Sequence, residues 1–475
     1  MKVRSLLFGG SLAVALGSCA VNPATGKREF MLVSESQELA MGKEYDQQVV
    51  AEMGLYDDPA LANYIQQLGQ RLAALSERPQ LPWTFRLIDD PVVNAFAVPG
   101  GYIYITRGIM AQLESEAQLA SVIGHEIGHV TARHTAEQIT KQQVAGLGLG
   151  IASIFSPTAA GIAGGAMQIL FLKFSRDDES QADELGFRYM RAAHYDPREA
   201  GDMFRQLERI TAVSGSRLPE WQSTHPDPGN RAEKADARAA AIPASELSGM
   251  IVRHDEYIQR LDGVVYGDDP RQGFFSGDRF LHPTLRFELT FPTNWPHANQ
   301  HTAVLAQSPE KDAVVVITVA SEATPAEAAR GFFAGEGITG TPTPGSVNGL
   351  SSAGGGFTAA TQQGSVQGEA QFISQGSTVF QVMGYASASA WGARRESVRQ
   401  TIASFRTLTD QRALAVQPWR VDIVRVDRTM TPAEFAQRYP GPVDVTKLML
   451  LNQVDEGARF MSRNLVKRVV GQPLP

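Results

Sequence analysis

The segment His125-Glu126-Ile127-Gly128-His129 constrains this chain more than any other feature of its sequence. It follows Ser115-Glu116-Ala117-Gln118, which is typical of a helix start, and apolar residues recur around it at helical spacing. Side chains four residues apart share one face of an α-helix, so both imidazoles can bind one ion. Glu126 then lies beside that ion, where a carboxylate can take a proton from a zinc-bound water. The motif therefore predicts a catalytic zinc site on a buried helix.

The other zinc ligands must come from elsewhere in the chain, because two histidines leave the ion under-coordinated. His134 lies about 180° around the helix from His125, on the apolar stripe, and is predicted to be a core histidine. Glu179 and Asp183, in contrast, are again four residues apart. One of these carboxylates is expected to bind zinc, while the other orients a ligating histidine.

This combination, with Glu-x-x-x-Asp about fifty residues after the second histidine, resembles the gluzincin peptidases of the CAAX prenyl protease and HtpX family. The resemblance covers roughly residues 22–260. Its further matches, in the order of the family, are Asn94-Ala95-Phe96-Ala97, Ser175-Arg176-Asp177-Asp178-Glu179-Ser180-Gln181-Ala182-Asp183, and Thr224-His225-Pro226 with Arg231. It implies one Zn²⁺ per chain held by His125, His129 and Glu179, with Glu126 as the general base and Asp183 supporting a ligand.

The resemblance also places the loop that contains His225 near the metal, in one of two roles. His225 can donate a hydrogen bond to the developing oxyanion, with Arg231 as a second donor. Alternatively, its imidazole occupies the fourth zinc position and keeps the peptidase shut, and this gate is the role we expect. The peptide substrate is expected to add a strand beside Tyr102 to Thr106 or its partner strand. Gly124 and Gly128 are expected to allow another backbone to approach the zinc helix closely.

The amino terminus predicts export and lipid anchoring. Lys2 and Arg4 precede an apolar run that ends in Leu16-Gly17-Ser18-Cys19, and Cys19 is the only cysteine of the chain. This resembles the bacterial lipobox, which implies a lipid on Cys19; the alternative is an ordinary signal peptide with a stray cysteine. Ala20 in place of aspartate favours the outer membrane, facing the periplasm. Residues 20 to about 40 are predicted to be a tether leaving the membrane.

Length and composition indicate a multidomain globular protein. At roughly 150 residues per domain, 475 residues suggest about three domains. A net charge of -7 offers no basic surface for nucleic acid. The predicted fold class is α+β multidomain, with a signal peptide in 1–19, a mainly helical protease domain with a small sheet in 20–265, an α+β domain in 275–410 and a small α/β module in 420–475.

Three segments outside the zinc motifs carry further expectations. The apolar residues 144–172 are interrupted by Ser156-Pro157-Thr158 and are predicted to form buried helices or a flap rather than a membrane span. The strand order in 275–410 resembles a PsbP-like domain. The order of elements in 420–475 resembles a LysM module, which implies peptidoglycan as a partner. Ala458-Arg459-Phe460 departs from the LysM pattern, and a helical cap without binding function is the alternative.

Two functions are compatible with this sequence. The first is a zinc endopeptidase of the cell envelope that hydrolyses unfolded or misassembled envelope proteins. The second is a periplasmic chaperone or assembly factor whose zinc site is mostly latent. Glu126 favours the enzyme, because a protein that only binds its clients has no need of a general base.

Overall fold

The computed structural model describes residues 19–144, 174–213, 225, 230–361 and 364–475. The predicted signal peptide up to residue 18, nearly all of the apolar segment 144–172, and both neighbours of His225 lie outside these residues. Across the parts of the chain that are described, no helix is long and apolar enough to cross a membrane.

The first part of the chain contains most of the helices. In chain order they are α1 (Glu35–Met53), α2 (Pro59–Ala73), α3 (Arg107–Gln112), α4 (Glu116–Thr131), α5 (His134–Val144), α6 (Arg176–Ala192), α7 (Glu199–Val213), α8 (Arg231–Ala240), α9 (Ala244–Leu247) and α10 (His254–Arg260). Its strands are β1 (Cys19–Val21), β2 (Arg28–Phe30), β3 (Thr84–Ile88), β4 (Ala95–Val98) and β5 (Tyr102–Thr106). The predicted tether is therefore wrong in part: β1 and β2 form an antiparallel hairpin, and α1 already begins at Glu35.

Helix α4 is the predicted zinc helix. Ser115 caps it by accepting a hydrogen bond from the Gln118 amide at 3.0 Å, and every residue from Glu116 to Thr131 is buried. It packs between α2, α6 and α7 and against β4. The helix is buried on every side, polar residues included, because it crosses the centre of the domain.

A three-stranded sheet in the order β3-β5-β4 lies beside α4. Strand β5 is parallel to β3 and antiparallel to β4, and the turn between β4 and β5 uses Gly100 and Gly101 at φ 83° and 99°. The sequence predicted β5 with its observed bounds. However, β5 is paired on both sides, so within the described residues an added peptide strand could pair only with an edge of this sheet, which is β3 on one side and β4 on the other.

The middle part, after a 3₁₀ turn at Pro270–Gln272, is built from two antiparallel sheets. Its strands are β6 (Phe274–Ser276), β7 (Arg279–His282), β8 (Phe287–Thr290), β9 (His297–Asn299), β10 (Ala303–Gln307), β11 (Ala313–Val319), β12 (Ile338–Gly340), β13 (Thr343–Val347), β14 (Leu350–Thr361), β15 (Gly364–Gln375), β16 (Thr378–Ser387) and β17 (Arg406–Thr407). Its helices are α11 (Pro325–Phe333), α12 (Trp391–Ser404) and α13 (Gln411–Leu414). One sheet has eight strands and the other four, and Phe287, Phe380 and Phe405 meet in the core between them.

The last part contains β18 (Arg420–Arg425), α14 (Pro432–Arg438), α15 (Val445–Leu451) and β19 (Leu465–Val470). Strands β18 and β19 form an antiparallel two-stranded sheet, with α14 and α15 between them in the chain, and the backbone of Val421 exchanges hydrogen bonds with Gly263 and Val264 of the first part. The ammonium of Lys467 is fully buried, donates to the carbonyls of Ala111 and Leu113 at 2.9 and 2.7 Å, and lies 3.0 Å from Glu114. The carboxy-terminal module is thus packed onto the segment that leads into α4.

The predicted class is confirmed at this level: the chain is an α+β multidomain protein with several sheets. The finer assignments to PsbP-like and LysM-like folds stay predictions.

Candidate metal centre

A close crossing of α4 and α6 creates the site. A Cβ atom added at Gly128 would lie 2.9 Å from the carbonyl oxygen of Ala182, and one at Gly124 would lie 3.0 Å from that of Gly186. From the other side, a Cβ at Gly186 would lie 2.7 Å from the His125 amide nitrogen. The expected role of Gly124 and Gly128 is therefore confirmed. Only glycine allows the two backbones to approach this closely, and this approach brings the carboxylates of α6 to the imidazoles of α4.

Four buried side chains converge on one point. His125, His129, Glu179 and His225 each offer one donor atom, and these atoms all lie within 4.8 Å of one another. The Nε2 of His125 is 3.0 Å from the Nε2 of His129 and 3.3 Å from the Nδ1 of His225. The carboxylate of Glu179 lies 2.9 Å from His225 and 3.5 Å from His129. Zinc at its usual bond lengths gives ligand-to-ligand distances of about 3.3 Å in a tetrahedral site, so this donor set fits the ion.

The protonation states of these groups also suit a metal. Burial lowers the pKa of His125 to about 4, with the Arg231 guanidinium adding to the effect, and burial lowers the pKa of His129 as well. Burial acts to raise the pKa of Glu179, but the positive charges of His225 and Arg231 outweigh it, so that pKa lies below its usual value. Neutral imidazoles at His125 and His129 beside an ionised Glu179 are the forms that bind metal. His225 differs: burial acts to lower its pKa, but the carboxylates of Glu179 and Glu126 outweigh burial and raise that pKa.

Glu126 lies next to this donor set but is not part of it. Its Oε1 is buried, accepts no hydrogen bond from the described residues, and lies 3.7 Å from the Nε2 of His225. Burial raises the pKa of Glu126 to about 7. Burying a carboxylate oxygen without a hydrogen-bond donor costs free energy, so its presence here indicates a functional role. A pKa near 7 suits a group that exchanges protons at neutral pH.

A second set of contacts holds the donors in place. The Nδ1 of His125 lies 2.9 Å from Asp183, the carboxylate predicted to orient a ligand. Arg231, at the start of α8, pairs with both oxygens of Asp183 at 2.6 and 2.8 Å and lies 3.2 Å from Glu179. Its guanidinium also stacks over the Phe204 ring at 4.4 Å. These contacts favour a positioning role for Arg231 over the expected role as an oxyanion donor.

His134 and Gln181 complete the support, and the sequence did not predict their role. His134 is buried and outside the donor set, but its Nδ1 lies 2.9 Å from the Nδ1 of His129. Its Nε2 lies 2.8 Å from the Gln181 side-chain oxygen. Phe174 stacks on the other face of the His129 ring at 4.1 Å. The only sequence signal for Gln181 is that a polar side chain stands four residues before Leu185, on the same helix face.

Comparison with known proteins identifies the domain around this site. Residues 59–239 match Peptidase family M48. The chain is 33% identical over 260 residues to the beta-barrel assembly-enhancing protease of Escherichia coli (strain K12), covering 52% of each chain. It is 37% identical over 170 residues to the mitochondrial metalloendopeptidase OMA1 of Arabidopsis thaliana, covering 35% of this chain and 33% of the relative. The chain thus spans about half the length of the first of these relatives and a third of the second.

Among solved structures, the cyanobacterial PsbP of Synechocystis sp. PCC 6803 covers 27% of this chain and 91% of its own, at 9% identity and a TM-score of 0.24. The family match encloses α4, α6 and α8, which supply every predicted site residue except His225, and it encloses His225 as well. The chain therefore carries, in residues 59–239, a domain of the zinc metallopeptidase family M48.

Proposed function

We propose that this protein is a zinc-dependent endopeptidase of the cell envelope that hydrolyses unfolded or misassembled envelope proteins. One observation carries the proposal: three imidazoles and a carboxylate converge beside a second buried carboxylate, Glu126, whose Oε1 accepts no hydrogen bond from the described residues. A structural zinc site needs only its ligands, whereas a hydrolytic site also needs a base.

The residues divide the work as follows. His125, His129 and Glu179 would hold the ion, which when bound supplies a Lewis acid that polarises the scissile carbonyl and acidifies water. Glu126 takes the proton of the attacking water and passes it to the leaving amine. Asp183 fixes the orientation of the His125 ring through Nδ1, and Arg231 neutralises the charge that Asp183 and Glu179 share.

We propose that His225 closes the site in the resting state. Its Nδ1 lies 3.3 Å from His125 and 2.9 Å from Glu179, at a fourth corner of the donor set. Because a catalytic zinc keeps one position open, an imidazole there blocks turnover until His225 is displaced. One distance supports the competing role, in which His225 donates a hydrogen bond to the oxyanion. The Nε2 of His225 lies 3.7 Å from Glu126, so the ring is on the same side as the general base.

The substitution His225→Ala separates these two roles. A gate predicts faster cleavage of an unfolded substrate such as casein, with zinc content still near one per chain. A turnover that falls by about 10² or more, with metal and fold retained, assigns His225 to the transition state instead.

The envelope location and the clients rest on the sequence and on the relatives. The lipobox at Cys19 supports lipid anchoring, with Ala20 favouring the outer membrane facing the periplasm. The name of the Escherichia coli relative describes a protease that enhances β-barrel assembly, which supports envelope proteins as the client class. Strand β4 would take an extended client backbone on its unpaired edge. Peptidoglycan binding by the carboxy-terminal module is a further proposal, supported by the resemblance alone.

A latent site in a chaperone or assembly factor is the second candidate, and the position of His225 favours it. The test compares casein cleavage by the purified protein, by the chelator-treated protein and by Glu126→Gln. An enzyme loses activity on chelation and regains it with zinc, and Glu126→Gln binds about one zinc but is slower by about 10² to 10⁴. Full activity of the metal-loaded Glu126→Gln protein excludes the mechanism, while absence of cleavage by both proteins, with His225→Ala equally inactive, favours the chaperone.

A further inference from the structure

The amino-terminal hairpin exposes an apolar face. In its antiparallel register Val21 lies opposite Arg28, and Phe30 follows Arg28 by two residues, so these three side chains share one face. Val21 is 52% exposed and Phe30 50%. The alternation continues past the strand, since Met31 and Val33 are buried whereas Leu32 is 41% exposed. We call Val21, Arg28, Phe30 and Leu32 the hairpin face.

The hairpin is fixed to the protease domain rather than loosely attached. The Asn22 side chain is buried, donates to Glu29 at 3.0 Å and accepts from the Ala24 amide at 2.9 Å, which closes the hairpin turn. The Leu32 amide donates to Thr140 of α5 at 3.1 Å. Met31 and Val33 pack in one cluster with residues of α1, α5 and the three-stranded sheet. The exposed apolar side chains therefore cannot turn inward without breaking this packing.

We infer that the hairpin face binds the anionic surface of a phospholipid bilayer. Exposed aliphatic and aromatic side chains beside basic residues are the composition that lies in the membrane interface, and Lys27 and Arg28 supply the positive charge. The hairpin has a single carboxylate, Glu29, which accepts a hydrogen bond from the Asn22 side chain. A free apolar face of this kind on a water-soluble domain indicates a partner.

The position of Cys19 selects the bilayer as that partner. Cys19 is the first residue of β1, and its Cα is paired with that of Phe30 across the ladder. Paired Cα atoms are about 5 Å apart, so a lipid on Cys19 would place Phe30 at the membrane surface. This step rests on the proposed lipid anchoring. One lipid signal alone binds a protein weakly to a membrane, and the hairpin face would add the second contact that stable anchoring requires.

Such docking would also orient the metal centre. Arg133, just after α4, donates to the Val33 carbonyl and to Glu38, both at 2.9 Å, and Arg78 donates to Glu38 at 2.8 Å. These buried contacts connect the segment that follows the hairpin to the end of the zinc helix. A docked hairpin therefore holds the active site at a fixed position near the bilayer, where envelope clients insert, instead of letting the domain swing on a tether.

The test uses the chain from residue 19 with Cys19→Ser, which cannot be acylated. Flotation with vesicles of phosphatidylethanolamine and phosphatidylglycerol is compared for this protein, for Phe30→Ser with Leu32→Ser, and for Lys27→Glu with Arg28→Glu. Val319→Ser with Met461→Ser is the matched control, since both residues are about equally exposed, at 54%, elsewhere. We expect about 10-fold weaker binding without the apolar pair, a loss of about 5-fold per basic charge, and no change in the control.

A second measurement does not depend on loss of binding. Cys19→Ser leaves the chain without cysteine, so Phe30→Cys and Val319→Cys each carry a polarity-sensitive dye at one site. The dye at position 30 should shift to the blue on vesicles, and the dye at position 319 should not. Equal flotation of the apolar variant and the parent, or no shift at position 30, overturns the inference, as does concentration-dependent self-association that the hairpin variants abolish. Casein cleavage in solution should be the same in every variant, which separates this outcome from failure of the proposed function.

Discussion

Gly186→Ala tests whether the close crossing of α4 and α6 builds the site. The added Cβ would lie 2.7 Å from the His125 amide nitrogen and 2.9 Å from the Gly124 carbonyl carbon, so backbone rather than a flexible side chain must move. Overpacking a core costs about 1–3 kcal/mol, and a contact with two backbones belongs at the upper end. Replacing glycine by alanine within a helix stabilises the folded state by about 1 kcal/mol. We therefore expect a net loss of about 1–2 kcal/mol in the free energy of unfolding.

The same displacement should weaken zinc binding, because Glu179 and Asp183 lie on α6 and both contact His125 of α4. Urea unfolding of the metal-free protein and zinc titration with a competing chelator measure the two effects. Gly331→Ala is the control, since Gly331 also lies within a helix and its Cβ would meet only the end of the Glu322 side chain at 3.7 Å. That variant should be more stable than wild type by a few tenths to about 1 kcal/mol. A Gly186→Ala protein as stable as Gly331→Ala, with unchanged zinc affinity, would refute the reasoning.

Two further substitutions test the ligand assignment and the contact of the carboxy-terminal module. Glu179→Ala should lose most of its bound zinc, because the substitution removes a ligand. Asp183→Ala should weaken zinc affinity or activity only about 10-fold to 100-fold, as is usual for residues that support a ligand. Equal zinc content in wild type and Glu179→Ala contradicts the assignment. Lys467→Met should lower the free energy of unfolding by about 3 kcal/mol in urea, the lower end for a broken buried ion pair, because Glu114 keeps only the partly exposed His254, 3.1 Å away, as a cationic partner. Lys447→Met, at an exposed position of α15, is the control and should cost under about 0.5 kcal/mol.

The sequence was most informative where one periodic pattern decides a structure. The zinc helix and the strand Tyr102–Thr106 lie where their patterns predicted them. The helix Arg231–Ala240 and the strand Ala313–Val319 likewise coincide with helix-like and strand-like runs of the sequence. The i and i+4 spacing also brought His125 and His129, and then Glu179 and Asp183, onto single helix faces that meet. In contrast, the segment from Ser36 to about Leu75 has helix-like spacing in the sequence, but in the structure it forms two helices that break between Met53 and Pro59, where Gly54 adopts φ 72°.

The contacts that the sequence missed depend on a backbone turn or on tertiary packing, which local sequence patterns do not predict. His134 has the position of a core histidine and is buried like one, yet it contacts His129 only because Arg133 at φ 62° turns the chain between α4 and α5. Gln181 meets His134 only through the crossing of α4 and α6. Strand β18 was missed because its polar/apolar alternation lasts only from Arg420 to Ile423 and fails at Val424-Arg425, and because its partner lies forty residues further along.

The sequence pattern of the carboxy-terminal module does not predict which part of the chain the module contacts, and Lys467 shows why. Its apolar neighbours Val466 and Val469 predict a strand, and a lysine within a strand is ordinarily solvated. Here the side chain is 0% exposed because the end of α3 and the residue after it offer two carbonyls that accept hydrogen bonds from the ammonium, and Glu114 lies 3.0 Å away as its ion-pair partner. Gln453 adds hydrogen bonds to the Gln112 carbonyl and the Gln118 side chain, at 2.9 Å each. The module therefore fixes the start of the zinc helix, and a glycan-binding role would have to use surfaces that this docking leaves free.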